Sequence, residues 1–135
     1  MKVSSTIVAT FTTRLLLSGI TLMLSTLIAG ATSLDPRTIS QLKKLNDVDQ
    51  LEQRCDIEGM DQLGADKVIS YTFSRPDREP THLHAEGAVF RRNGKWFRLS
   101  YDCATSLDHL DVKSFTYAVG EQIPRKEWEQ FYLYP

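Results

Sequence analysis

Acidic residues are missing from the first 34 positions of this 135-residue chain, which excludes that segment from an ordinary solvated domain surface. Its charges are Lys2 and Arg14, its middle is the apolar stretch Leu15 to Ile28, and it closes on the small-x-small run Ala29-Gly30-Ala31. That order is the one a secretory signal peptide requires. Residues 1–31 are expected to be removed, leaving Thr32 first. A long apolar run is also lacking: Ser18, Gly19, Thr21, Ser25 and Thr26 interrupt the stretch. It spans about 14 residues where a membrane span needs about 20, so retention as an anchor is the weaker alternative. Position 31 is Ala, where a lipidated Cys would have to stand, so no lipid anchor is expected.

Residues 32–135 lack internal repeats, low-complexity tracts and any long Pro/Gly/Ser linker, and they are too few for two domains. One cooperative unit is expected. They also lack a basic excess: setting aside Lys2 and Arg14 lowers Lys plus Arg from 16 to 14 against 17 Asp plus Glu, a net charge of −3. No footprint for nucleic acid remains. Gly-x-Ser-x-Gly, phosphate-loop and dinucleotide fingerprints are absent. Only two cysteines occur, Cys55 and Cys103, and in an exported chain they permit one disulfide. The same spacing also suits two merely buried thiols.

Asp35-Pro36 is a capped helix start, with Ile39, Leu42 and Leu45 at helical spacing. Asn46-Asp47 restarts the helix, Asp47 and Gln50 having capping-box spacing before Leu51 and Cys55, and Gly59 and Gly64 weaken and end it. From Val68 the period becomes two, with Ile69, Tyr71 and Phe73 on one face of a strand, followed by a polar loop from Arg75 to Pro80. Asn93-Gly94 is a type I′ hairpin signal that pairs Arg92 with Lys95 and Phe90 with Phe97. The apolar phase shifts between Ala85 and Ala88, which a bulge at Glu86-Gly87 reconciles. Val112 to Val119 supplies another strand with Phe115, Tyr117 and Val119 inward, and Ile123-Pro124 opens a short terminal helix with Trp128 and Phe131. The expected fold is α+β: a four-stranded antiparallel meander, an N-terminal helix packed on one face, and a short C-terminal helix.

The segments Leu51 to Met60, Gly94 to Cys103 and Ser114 to Tyr117, with Gly120, Ile123-Pro124 and Trp128, resemble the uncharacterised exported family of alphaproteobacteria catalogued as domain of unknown function 930. The resemblance covers most of residues 51–135. Gly59 departs from it, Ala being expected there, as does the long stretch between Asp35-Pro36 and Leu51. It implies an exported envelope protein and assigns no activity, ligand or catalytic residue.

His82 and His84, two apart on a strand, face one side and could share a metal with His109 or Glu86. They lie on the solvent face if the bulge forms, so no metal and no cofactor is expected. Glu52 and Glu58 are misaligned on a helix, whereas Arg54 and Glu58 are i,i+4 neighbours suited to a surface salt bridge. No catalytic set stands out. The remaining candidate is a binding surface of Arg91, Trp96, Arg98, Tyr132 and Tyr134; Trp96 is alternatively covered by the Arg91 stem or by the C-terminal tyrosines. The expected function is a periplasmic or secreted, non-enzymatic module whose partner is another envelope protein or cell-envelope component. A small periplasmic hydrolase using His84 and Glu86 is the alternative.

Overall fold

The computed structural model describes residues 33–135; the expected signal segment and the expected cleavage after Ala31 lie outside the described residues. Helix α1 (Pro36–Leu42) starts at Asp35, whose carboxylate accepts the Arg37 and Thr38 N–H groups at 2.9 and 3.1 Å. Helix α2 (Asp47–Leu63) is a restart, as expected, but its cap is Asn46 rather than Asp47: the Asn46 side chain accepts the Asp49 N–H at 3.0 Å and donates to the Asp49 carboxylate at 2.8 Å. Gly64 ends it in the left-handed conformation with φ 57°. Glycine is the residue for which that conformation carries no Cβ penalty.

Among the described residues one antiparallel sheet forms from β1 (Lys67–Ile69), β2 (Asp77–Glu79), β3 (His82–Arg92), β4 (Lys95–Thr105) and β5 (Val112–Gln122), in the order β1-β3-β4-β5 with β2 also on β3. The expected meander is therefore present, and β2 adds a short, fully exposed strand inside what the sequence presents as a polar loop. Asn93 (φ 52°) and Gly94 (φ 68°) turn β3 into β4, with Phe90 opposite Phe97. The register slips between Ala85 and Ala88. The bulge has a cause beyond the hydrophobic phase: the Phe73 N–H donates to the Gly87 carbonyl at 2.8 Å, and a Cβ on Gly87 would lie 2.2 Å from the Ser74 nitrogen. Only glycine lets the two backbones come this close.

Two apolar cores sit on opposite faces of the sheet. On the inner face α2 presents Leu51, Cys55 and Leu63 to Val68, Leu83, Ala88, Phe90, Leu99, Tyr101 and Val112, and the Cys55–Cys103 disulfide joins α2 to β4 at a sequence separation of 48. On the outer face Val89 and Trp96 are covered by Ile123, Trp128 and Leu133. The short C-terminal helix expected there takes the form of two 3-10 turns, Arg125–Glu127 and Glu129–Phe131, closed by Tyr132 at φ 56°. Two inward assignments need correction: Tyr117 and Val119 lie opposite Tyr101 and Leu99 on the helix side of the sheet, yet are 44% and 49% exposed. The helix side of the outermost strand is only partly covered. Tyr71 likewise leaves the β1 face for an exposed turn, since β1 stops at Ile69.

Candidate functional site

The covered end of the outer face holds the residues expected to form a binding surface. Trp96 is fully buried, which corrects the picture of an open indole. Its Nε1 donates to the Tyr134 carbonyl at 2.8 Å, and the Tyr134 ring stands edge-on at 5.6 Å. The Arg91 guanidinium lies 4.7 Å from the Tyr134 ring and 5.8 Å from the indole, and is itself anchored on Asp66 at 2.8 Å. That contact holds the Asp66 carboxyl below its usual range. Trp96, Tyr134 and Arg91 thus form a packed stack in which the arginine covers the aromatics. Arg98 stacks over Phe73 at 3.7 Å, and Phe73 meets Phe131 edge-on at 4.5 Å. Past this stack the Tyr132 side chain remains 92% exposed on its left-handed residue, beside the half-exposed Tyr134.

The open end of the outer face carries the histidines. The strand registers place His84 between Asp77 and Asp102, and His82 between Glu79 and Ala104. His84 Nδ1 contacts Asp102 at 2.6 Å and Nε2 contacts Glu86 at 3.2 Å, while His82 Nε2 reaches the same Asp102 oxygen at 3.3 Å. A carboxylate only accepts, so Nδ1 carries the proton that faces Asp102, and protonation of Nε2 is favoured by Glu86 beside it. The Asp102 contact and then Glu86 raise the His84 pKa, and His84 in turn holds Asp102 below its ordinary value. Among the described residues no group of three or more His, Cys, Asp or Glu side chains is arranged to hold a metal ion. His109 is elsewhere, its Nε2 against the Pro80 carbonyl at 2.7 Å; because a carbonyl only accepts, that nitrogen carries the proton.

The family model described as Domain of Unknown Function (DUF930) matches residues 42–133. The chain belongs to the DUF930 family. The match begins before the segment that carries the sequence resemblance and takes in the α1–α2 junction. No curated protein and no solved structure matches the chain.

In this DUF930 protein the least legible feature is a set of polar side chains that α2 buries. Arg54 and Glu58 do pair, at 3.0 Å, but both are almost wholly buried rather than on the surface. Arg54 Nε also donates to the Leu110 carbonyl at 2.9 Å, and Gln50 donates to the Asp108 carbonyl at 2.8 Å, so α2 fastens the loop between β4 and β5. Gln62 completes the pair by donating to Glu58 at 2.8 Å. Glu52 turns away from Glu58 and meets Arg78 of β2. It also borders an open groove of about 460 Å³ between α1, α2 and Tyr71, with Leu42, Leu45 and Ile57 beside it. Asp56 is buried, accepts the Tyr101 hydroxyl at 2.8 Å, and is pushed up to about 8 mainly by loss of water. The i,i+4 spacing of Gln50, Arg54 and Glu58 is the one trace of this arrangement in the sequence. Gly59 lies on the same helix, and a Cβ there would come within 3.3 Å of the Phe115 ring, so the glycine lets α2 approach β5.

Proposed function

We propose that this protein is an exported, non-enzymatic interaction module that works in the periplasm or outside the cell and contacts another envelope protein or cell-envelope component through its C-terminal aromatic edge. The observation that carries the reading is Tyr132: a tyrosine 92% exposed, in the left-handed conformation, at the end of turns that the buried Trp128 and Leu133 hold against the sheet. A bulky residue in that conformation is uncommon, and an exposed aromatic on a rigid support suits a binding hot spot. Export is supported by the acid-free start with Ala29-Gly30-Ala31 and by the pairing of both cysteines. The family resemblance favours an alphaproteobacterial host, in which the compartment is the periplasm. Against the hydrolase reading, Glu86 is 76% exposed beside His84, so no burial prepares the pair for acid–base work, and the two sulfurs are joined to each other.

The test is a photoreactive phenylalanine at position 132, irradiated in intact cells of the native host, with Lys95 at the hairpin tip as a control position. A discrete adduct with one envelope component from position 132 and none from position 95 is expected. No adduct, or equal labelling from both positions, would overturn the aromatic edge as the contact.

A further inference from the structure

Strand β5 is a free sheet edge: among the described residues it pairs with β4 and with nothing on its other side. Its register with β4 is regular from Ser114 to Val119 and slips at both ends, near Lys113 and near Gly120-Glu121. A straight edge invites pairing with another strand, and natural sheets blunt it with proline, charges, bulges or a cover; β5 carries a bulge at each end and runs straight from Ser114 to Val119. Here no proline falls between Val112 and Gln122, and Tyr117 and Val119 stay about half exposed on the helix side.

We infer that β5 pairs antiparallel with β5 of a second copy of this chain, about a two-fold axis at Tyr117, joining the two sheets into one. The sequence around Tyr117 is self-complementary in that register. Phe115 meets Val119 of the other copy, Thr116 meets Ala118, Ser114 meets Gly120, and Lys113 meets Glu121. Apolar residues face apolar ones and small face small along the straight stretch, and beyond it the bulge that holds Lys113 faces the bulge that holds Glu121, of opposite charge. In-register parallel pairing would instead oppose Lys113 to Lys113 and Glu121 to Glu121, which is repulsive. A point-symmetric dimer uses one patch on both subunits, and an opposite charge at each end of a single strand is what such a patch requires. On the outer side Ser114, Thr116, Ala118 and Gly120 present little bulk to the seam. On the helix side the exposed parts of Tyr117 and Val119 gain a cover, each apolar cross-strand pair adding to stability.

The experiment is sedimentation equilibrium on the disulfide-intact exported chain and four variants, with circular dichroism confirming the fold of each. The wild type is expected to show a concentration-dependent monomer–dimer equilibrium. Lys113→Glu and Glu121→Lys, each placing like charges opposite one another twice, should weaken it by about tenfold. The double exchange Lys113→Glu with Glu121→Lys should return it to within about threefold of wild type, because it restores both opposite-charge pairs. Tyr117→Lys puts two like charges on the axis and should leave a folded monomer. A wild type that stays monomeric at every concentration would overturn the inference, including the case in which β5 instead takes a strand from another envelope protein. A dimer that ignores Tyr117→Lys, or a double exchange that restores nothing, would overturn it equally.

Discussion

The two faces of the sheet are closed by different means. The inner face is sealed by one long helix, tied covalently by Cys55–Cys103 and braced by the buried Arg54–Glu58 pair, and the polar side chains α2 buries there meet partners from the same helix, from the loop it fastens, from β2 and from β4. The outer face is closed over one end only, by turns whose anchors Ile123, Trp128 and Leu133 pack on Val89 and Trp96. Its other end remains an open floor with the His84–Asp102–Glu86 contacts. The inner face is a folding core, whereas the outer face combines a smaller core with exposed chemistry. Stability and interaction are therefore divided between the two sides of one sheet.

The largest effect is expected where the inner face is tied. Cys55→Ala with Cys103→Ala releases a loop closed across 48 positions, and should cost about 4 kcal/mol in denaturant unfolding, much of what a domain of this size has. An unchanged midpoint would mean that the helix holds the sheet without the bond. Next comes the place where the outer face depends on backbone contact: Gly87→Ala drives a Cβ into the Ser74 backbone. It should cost about 3 kcal/mol, as severe overpacking does, since backbone cannot swing aside like a side chain. Trp96→Phe removes the Nε1 donor to the Tyr134 carbonyl and part of the outer core. About 2 kcal/mol is expected from the lost volume and hydrogen bond. If the two faces are separate, this substitution and the disulfide variant should add independently in a double-mutant cycle.

Per unit of pH, the smallest effect separates the faces by titration. Asp56 on the inner face keeps its proton up to about pH 8 against an ordinary value of 3.8. The folded state then binds a proton that the unfolded chain has released, so stability falls as pH rises from about 4 to about 8, by at most about 1.4 kcal/mol per unit. Asp56→Asn keeps an acceptor for the Tyr101 hydroxyl and should flatten that slope in thermal melts across the window. His84 acts in the same direction on the exposed face: its pKa is raised, so its contribution is full below its unfolded value and is lost as pH rises through the folded one. The Asp102 contribution, with its pKa lowered, is lost only as pH falls through that folded value. A slope unchanged in Asp56→Asn would place the pH response on the outer face instead.

What was legible in the sequence was local or depended on parity. Asn93-Gly94 sets the hairpin register through the turn geometry it favours, the one-residue phase slip marks the bulge, and two cysteines allow one pairing. What was not legible depended on distant partners. Trp96 follows the alternation of an outward residue, and its burial comes from residues 123–134 folding back over it. Tyr117 and Val119 have inward parity, but one helix on a four-strand path leaves the last strand partly uncovered. The polar face of α2 resembles a solvated surface, and only the loop after β4 and the residues of β2 turn it into an interior. Strand β2 has no apolar face, since its residues Asp77, Arg78 and Glu79 are all exposed and pairing with β3 alone defines it.

The central claim is that the domain is exported and reaches its fold with the inner face covalently closed, and intact-mass spectrometry of the chain from its native host, alkylated without reduction, tests it most directly. The account predicts a protein that begins at Thr32, recovered from the envelope fraction, two protons lighter than the dithiol form and carrying no alkyl group. A species that retains Met1, or one that takes up two alkyl groups while folded, would contradict it.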